Sequence, residues 1–477
     1  MTQPLSAGRP APGADDAQIV DGLVKKARSA MAVFANADQA RVDEAVTALA
    51  WSIYRPDHAR ALAEAAVSDT GLGNVADKTA KNRRKTFGAL RDLLRVRTVG
   101  VIEEDAARGI VKYAKPVGVV GAVVPSTNPA ATPVNKAMMA VKGRNAIILA
   151  PSPAGSNTTA LTAGHMRAEL EKIGLPADLV QVLPAPVTKA LTQALMEASD
   201  LVVVTGSQNN VRNAYRSGTP AIGVGAGNVP VIIDSSADLA DAAAKIRDSK
   251  VFDNATSCSS ENSVTIVDDV YDAAMRALGD AGGYLATAEE KRLIEDKLWV
   301  DGRLNRTLIA KDADVFARDV GLSEEAGKAR FFMVADDGAG PDHPFSGEKL
   351  SLVLTVYRAA DFDAALKRVR DVLRYQGIGH SVGLHSADMD HARRLAEELD
   401  VVRVLVNQAH AFGNGGSFDN GLDFTLSMGC GTWAGNSISE NLNYRHFINV
   451  THLVTVIPEN KPTEDELFGA YWARYGK

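Results

Sequence analysis

The chain holds two cysteines, Cys258 and Cys430, and they stand in different company. Cys258 lies in FDNATSCSSENSV, among asparagine, threonine and serine, between a helical pattern and a strand-like run. An unpaired cysteine usually behaves as a small core hydrophobe, with Val, Leu and Ile around it. A polar loop held by flanking sheet elements is instead where reactive groups tend to be placed. The chemistry such a thiol offers is nucleophilic attack through its thiolate. Cys430, in LSMGCGTW, has glycine neighbours that favour a turn or close packing, and it is the weaker candidate. Two cysteines in 477 residues make neither a disulfide framework nor a metal-ligand cluster, and they point to a reducing compartment.

Thr205-Gly206-Ser207 closes the apolar run LVVVT and opens a helical pattern over 208–216. Backbone N–H groups at such a handover favour a phosphate. An ordinary serine-capped helix fits the same residues equally well. GVGAGN at 223–228 only superficially resembles a dinucleotide fingerprint, because the strand-like VPVII follows it and not a helix. Ser152 follows the strand-like AIILA at 146–150, where it would touch a ribose.

The elements that must position these residues follow from periodicity. The first hundred residues read as helical: Val20, Leu23, Val24, Ala27, Met31 and Phe34 form one stripe, and Asp38 is placed to cap a second helix. Gly71 and Gly73 read as a helix stop. Val119 to Val124 form a continuous apolar run, as in a strand buried on both faces of a parallel sheet. From there strands at 146–150, 179–183 and 201–205 alternate with helices at 156–172, 187–198 and 208–216. The rhythm resumes after Cys258 with SVTIVDD, SLVLTVY, VGLHS and VVRVLVN, and with helices near 362–374 and 388–398. The expected fold class is α/β, with two doubly wound lobes and a small oligomerisation arm. The expected division is a disordered lead-in over 1–15 and a cofactor-binding domain over 16–228, with a strand arm near 108–118. A catalytic domain over 229–425 and a C-terminal segment over 426–477 with an oligomerisation strand complete it.

A formal net charge of −6 gives no sign of a nucleic-acid or anionic-membrane partner. No apolar run approaches the length of a spanning helix, and the N-terminus lacks the apolar core of a signal peptide. A cytoplasmic enzyme is the expectation.

Taken in order, the stretch Val119–Pro133, the Thr205-Gly206-Ser207 turn, the 223–230 segment and the Cys258 loop resemble the aldehyde dehydrogenase superfamily. EKLS at 348–351, GIGHS at 377–381 and LSMGCGTWAGNSISEN at 426–441 resemble its CoA-acylating branch in particular. That branch includes acylating acetaldehyde, propionaldehyde, succinic semialdehyde and sulfoacetaldehyde dehydrogenases. The resemblance spans about residues 16 to 465, and within the branch it is strongest to the acylating sulfoacetaldehyde dehydrogenases.

The resemblance implies a role for each matched residue. Cys258 matches the nucleophile. Asn128, in PSTNP, matches the amide of the oxyanion hole, with the Cys258 N–H as second donor. Thr205, Gly206 and Ser207 match the turn near the cofactor's pyrophosphate, and Glu348 the carboxylate on the nicotinamide ribose. Ser126, Thr127, Ser152 and Gly225 are further expected cofactor contacts. His380 matches a histidine of the acylating branch and would assist thiol deprotonation, with a structural role equally open. Hydrolytic members resemble this chain around 223–230 but carry a water-activating glutamate where Val224 stands. A valine takes no proton from water, so the acyl group must leave to another nucleophile, and the thiol of CoA suits that exchange. The implied reaction is oxidation of a short aldehyde to an acyl-CoA with NAD or NADP and CoA, in a homodimer or homotetramer. Two rivals stay open: a hydrolytic enzyme using Glu261 or Glu440 as base, and a non-catalytic cofactor-binding assembly subunit.

Overall fold

The computed structural model describes residues 12–477. Residues 1–11 of the expected lead-in lie outside the described residues. A helix begins at Ala14, inside the end of that lead-in. Four helices precede the first strand: Ala14–Phe34, Gln39–Tyr54, Pro56–Thr70 and Val75–Leu94. Asp38 caps the second as its pattern predicts, accepting a hydrogen bond from the Arg41 N–H at 2.8 Å. Gly71 ends the third at φ 64°, a left-handed position that glycine takes without steric cost.

Two parallel sheets carry the rest. The first has five strands in the order Val180–Val182, Ala146–Pro151, Val119–Val124, Leu201–Val204, Ala221–Gly223. All six residues of Val119–Val124 are buried, as a strand covered on both faces requires. Each such valine contributes about 1.5–3 kcal/mol of burial relative to exposure. Numbered by sequence, this order runs 3-2-1-4-5, so the winding reverses between Val119–Val124 and Leu201–Val204. A ligand crevice is expected beyond the carboxyl ends of those two strands. The Lys136 ammonium sits beneath it, donating to the carbonyls of Val123 at 2.7 Å and Val203 at 3.1 Å.

The second sheet has seven parallel strands: Gly283–Leu285, Phe331–Ala335, Val353–Ala359, Glu261–Val267, Val229–Ile233, Gly379–His385 and Val401–Val406. The third is antiparallel and joins Gly100–Asp105, Ile110–Pro116 and Ile448–Val454. The arm expected near 108–118 is thus a hairpin, whose first strand, Gly100–Asp105, follows the stretch read as helical and was not expected. Phe424, and Leu442 and Phe447 of the C-terminal segment, join the core of the first sheet. Among the described residues no helix is long and apolar enough to cross a membrane.

Candidate active site

Cys258 stands in a turn between the helix Leu239–Val251 and the strand Glu261–Val267. The turn is entered through Asp253, Asn254 and Ala255, three consecutive residues with φ of 51°, 52° and 60°. Left-handed backbone is costly for residues with a Cβ, and a network of charge holds it here. The buried Asp253 carboxylate pairs with Lys78 at 3.0 Å and with Lys81. It also accepts from Thr256 Oγ1 at 2.6 Å and from the Asn74 N–H at 3.1 Å. Burial works to raise the Asp253 carboxyl, but the two ammonium groups outweigh it and hold the carboxyl below its usual range.

The same lysines reach the loop after Val124. Lys78 donates to the Thr127 carbonyl at 3.0 Å, and Lys81 to Asn128 Oδ1 at 3.0 Å. An ammonium can only donate, so Lys81 fixes which end of the Asn128 amide is oxygen. The Nδ2 donor is left with one long contact, 3.4 Å to Thr127 Oγ1. The Cys258 N–H meets no acceptor among the described residues. Two open donors beside a half-exposed thiol are what a developing oxyanion requires.

The glycine segment explains itself by contact. A Cβ on Gly227 would lie 2.4 Å from that of Cys258, and one on Gly225 would lie 2.7 Å from Cys430 Sγ. Close approach to Cys430 thus accounts for the glycine at 225. Cys430 itself is fully buried, with its N–H bonded to Asn436 Oδ1 at 3.0 Å.

The Cys258 thiol is pushed up to about 12, first by burial and then by the Glu348 carboxylate. Glu348 is half-buried, and no side-chain hydrogen bond or ion pair holds its carboxylate among the described residues. Burial raises it to about 7. An acceptor so held, without a partner, fits the hydroxyls of a ribose. Ser126, Thr127 and Asn128 are half-buried on one side of the winding reversal, and Thr205 and Gly206 on the other. Ser207 is exposed and caps the helix Gln208–Tyr215 through the Asn210 N–H at 3.4 Å. The Thr205 hydroxyl bonds to that of Ser427. Ser152 caps a short turn through the Gly155 N–H at 3.3 Å.

His380 is fully buried on the strand Gly379–His385, and no hydrogen bond joins it to Cys258. Its Nδ1 meets Ser381 Oγ at 2.7 Å, and the same hydroxyl meets His410 Nε2 at 2.8 Å. Burial, then Arg403, push His380 far below the ordinary histidine range, so it is neutral. Val224 is half-buried, and its carbonyl accepts from Gln208 at 3.2 Å. Of the two rival bases, Glu261 is fully buried with one oxygen on the His410 N–H, and burial raises it to about 7. Glu440 is ion-paired to Arg445 at 2.8 Å. The Lys78, Lys81 and Asp253 network was not read from the sequence. Its only signal is the i, i+3 spacing of the lysines, which an ordinary solvated helix face shares.

The sequence profile of the aldehyde dehydrogenase family matches residues 11–287. The chain is similar to a sulfoacetaldehyde dehydrogenase (acylating) of Cupriavidus necator, 56% identical over 97% of this chain and 94% of the relative. It is similar also to one of Bilophila wadsworthia, 43% identical over 96% and 99%. The crystal structure of an acetylating aldehyde dehydrogenase from Geobacillus thermoglucosidasius superposes with a TM-score of 0.90, at 32% identity over 94% of this chain and 99% of that one. With a winding reversal, a cysteine between open donors and these likenesses together, the chain belongs to the aldehyde dehydrogenase family, among its acylating members.

Proposed function

We propose that this chain oxidises sulfoacetaldehyde to its acyl-CoA with NAD or NADP and CoA, through a thioester on Cys258. The substrate reading is supported by the 56% identity to the Cupriavidus necator enzyme. The observation that carries the mechanism is the pair of open donors, the Cys258 N–H and Asn128 Nδ2, beside a thiol that has no carboxylate at Val224.

The Cys258 thiol loses its proton to solvent, and its sulfur bonds to the aldehyde carbon. Asn128 and the Cys258 N–H stabilise the resulting oxyanion, a donor arrangement typically worth about 3–4 kcal/mol of barrier. NAD(P), when bound, would supply the hydride acceptor for this oxidation. The crevice between Ser126–Asn128 and Thr205–Ser207 fits its phosphates and Glu348 its ribose. Lys81 keeps the Asn128 donor turned toward the carbonyl. The acyl group then passes to the sulfur of CoA, and the Cys258 thiolate leaves. His380 has an unpartnered Nε2, but burial and Arg403 hold it far below the ordinary histidine range, so it is a weak base and the CoA thiol loses its proton to solvent.

The same reading takes residues 16–228 as the cofactor-binding domain and 229–425 as the catalytic domain, in a cytoplasmic homo-oligomer. Exposed apolar residues on the C-terminal arm, Leu453, Val454, Leu467 and Phe468, support a second copy covering that surface.

The test is NAD(P)H formation over a panel of sulfoacetaldehyde, succinic semialdehyde and unsubstituted short aldehydes, with and without CoA. The expected result is a CoA-dependent rate that is fastest with sulfoacetaldehyde. Equal rates without CoA, with free acid as product, would overturn the acyl-transfer step. Val224→Glu is expected to open slow CoA-independent acid release, and release at background would remove the argument from Val224.

A further inference from the structure

A small cavity adjoins the reaction centre, lined by Lys81, Arg84, Lys85, Asn128, Ser257 and Phe412 among others. Asn128 and Ser257 belong to the two loops that carry the open donors. The facing wall is one side of the helix Val75–Leu94, and it brings three cations. Lys81 is committed to Asp253 and Asn128. The other two have no such partner. Arg84 is half-buried and, among the described residues, donates only to the Phe412 carbonyl at 3.3 Å and Ser417 Oγ at 2.9 Å. A guanidinium has five N–H donors. Asp419 is exposed and acts on Arg84 only from beyond ion-pair distance. Lys85 is buried and donates to the Gly415 carbonyl at 2.7 Å, with the centre of the Phe424 ring 5.4 Å from its ammonium.

Arg84, sheltered and without an ion pair among the described residues, is a costly cation to keep, and burial pushes the Lys85 ammonium down to about 7, which an anion beside it would raise again. That cost is offset if the occupant of the cavity is an anion. The cavity that Arg84 and Lys85 line is lined also by Asn128 and by Ser257, the residue before Cys258, so an anion there lies beside the reaction centre. A sulfonate is charged at every working pH and offers three acceptor oxygens, one methylene from the aldehyde carbon. The rings of Phe412, Phe418 and Phe424 lie 5.1, 5.9 and 5.7 Å from the Arg84 guanidinium. They account for its position, and they leave its unfilled edge donors unexplained.

Resting on the substrate reading above, we propose that Arg84 and Lys85 form the subsite for the substrate's sulfonate and set the preference for an anionic aldehyde over an uncharged one. Arg84 supplies directional donors, and Lys85 supplies charge.

The test compares the full enzyme and its variants on sulfoacetaldehyde and on propanal, an uncharged aldehyde of similar length. The readout is the ratio of the two kcat/KM values. Arg84→Gln is expected to lower that ratio about 100-fold, the scale of hydrogen bonds to a charged group. Arg84→Lys, which keeps charge and loses the fork, is expected to lower it about 10-fold. Lys85→Met lowers it as well, and it serves if Arg84→Gln does not fold. An unchanged ratio, with both aldehydes losing equally, assigns the pair a structural role and overturns the proposal. A rise in KM for CoA with the ratio intact places a CoA phosphate on these cations, and that also overturns it. Wild-type enzyme that oxidises sulfoacetaldehyde no better than propanal overturns the substrate reading itself, and that result is obtained before any variant is made.

Discussion

The loops around Cys258 and Cys430 both pack against the glycine segment at 223–228, and they end in opposite chemistry. Gly227 leaves no room for a Cβ beside Cys258, and Gly225 none beside Cys430. Burial raises both thiols. The difference lies in the polar groups around them. Cys430 has its N–H on Asn436 and its sulfur 3.5 Å from the Met428 carbonyl. Cys258 has an open N–H, a neighbouring amide turned by Lys81, and partial exposure. Reactivity therefore follows from which donors the fold leaves without acceptors, and a sulfur atom packed on glycine does not by itself supply it.

Exchanging the two thiols tests that contrast most severely. Cys258→Ala is expected to reduce acyl-CoA formation by about 10⁴-fold or more. Cys430→Ala should cost less than about 10-fold in rate and about 1–2 kcal/mol in stability from the space it leaves. Steady-state rates and urea unfolding of the two variants check this, and a larger rate loss at Cys430 would reverse the comparison.

Asp253→Asn acts on the support of only one loop. It strips the counter-charge from Lys78 and Lys81, and about 3–5 kcal/mol of destabilisation is expected. The Asp253 carboxyl is held below its unfolded value. Its contribution is therefore complete above about pH 4, where the unfolded group has ionised, and is lost as pH falls through the folded value. The gap in unfolding free energy between wild type and variant should accordingly narrow in acid. A gap that stays constant down to acid unfolding would count against the charge network.

The smallest effect is the most specific to Cys258. Burial is the chief cause of its raised thiol, and the Glu348 charge is the next. Alkylation of Cys258 should therefore rise with pH across the neutral and alkaline range without a plateau. Glu348→Gln should speed alkylation at pH 8 about threefold, half a pKa unit, while the KM for NAD(P) rises. Slower alkylation would indicate that Glu348 acts as a base toward the thiol.

Much of the frame was legible in the chain itself, because burial on one or both faces leaves a periodic trace. The helix read at 156–172 is Ser156–Lys172, and the run Val119–Val124 is a buried strand with those bounds. Gly100–Asp105 escaped because GVIEED is a largely exposed antiparallel strand whose charges hide any alternation. Phe331–Ala335 and the helices Ala288–Leu298 and Ala313–Val320 were not read either. At the site, Cys258 and Asn128 could be singled out by their motifs. Lys81, Asp253, Arg84 and Lys85 could not, because each is an ordinary surface residue type until a partner 47 to 333 positions away closes over it. His380 shows the reverse case, a residue conspicuous by motif that the fold encloses with Ser381 and His410.

The left-handed run Asp253–Ala255 carries a last consequence. Each of its three residues sits where a side chain costs about 1 kcal/mol or more, and no local preference would choose that path. Its shape is imposed from a helix some 170 positions upstream, through Lys78 and Lys81. The thiol segment is therefore not a portable cassette. Grafted onto another scaffold without its two lysines it would relax, and a chimera that splits the chain between residues 94 and 252 would inherit the cysteine without its posture.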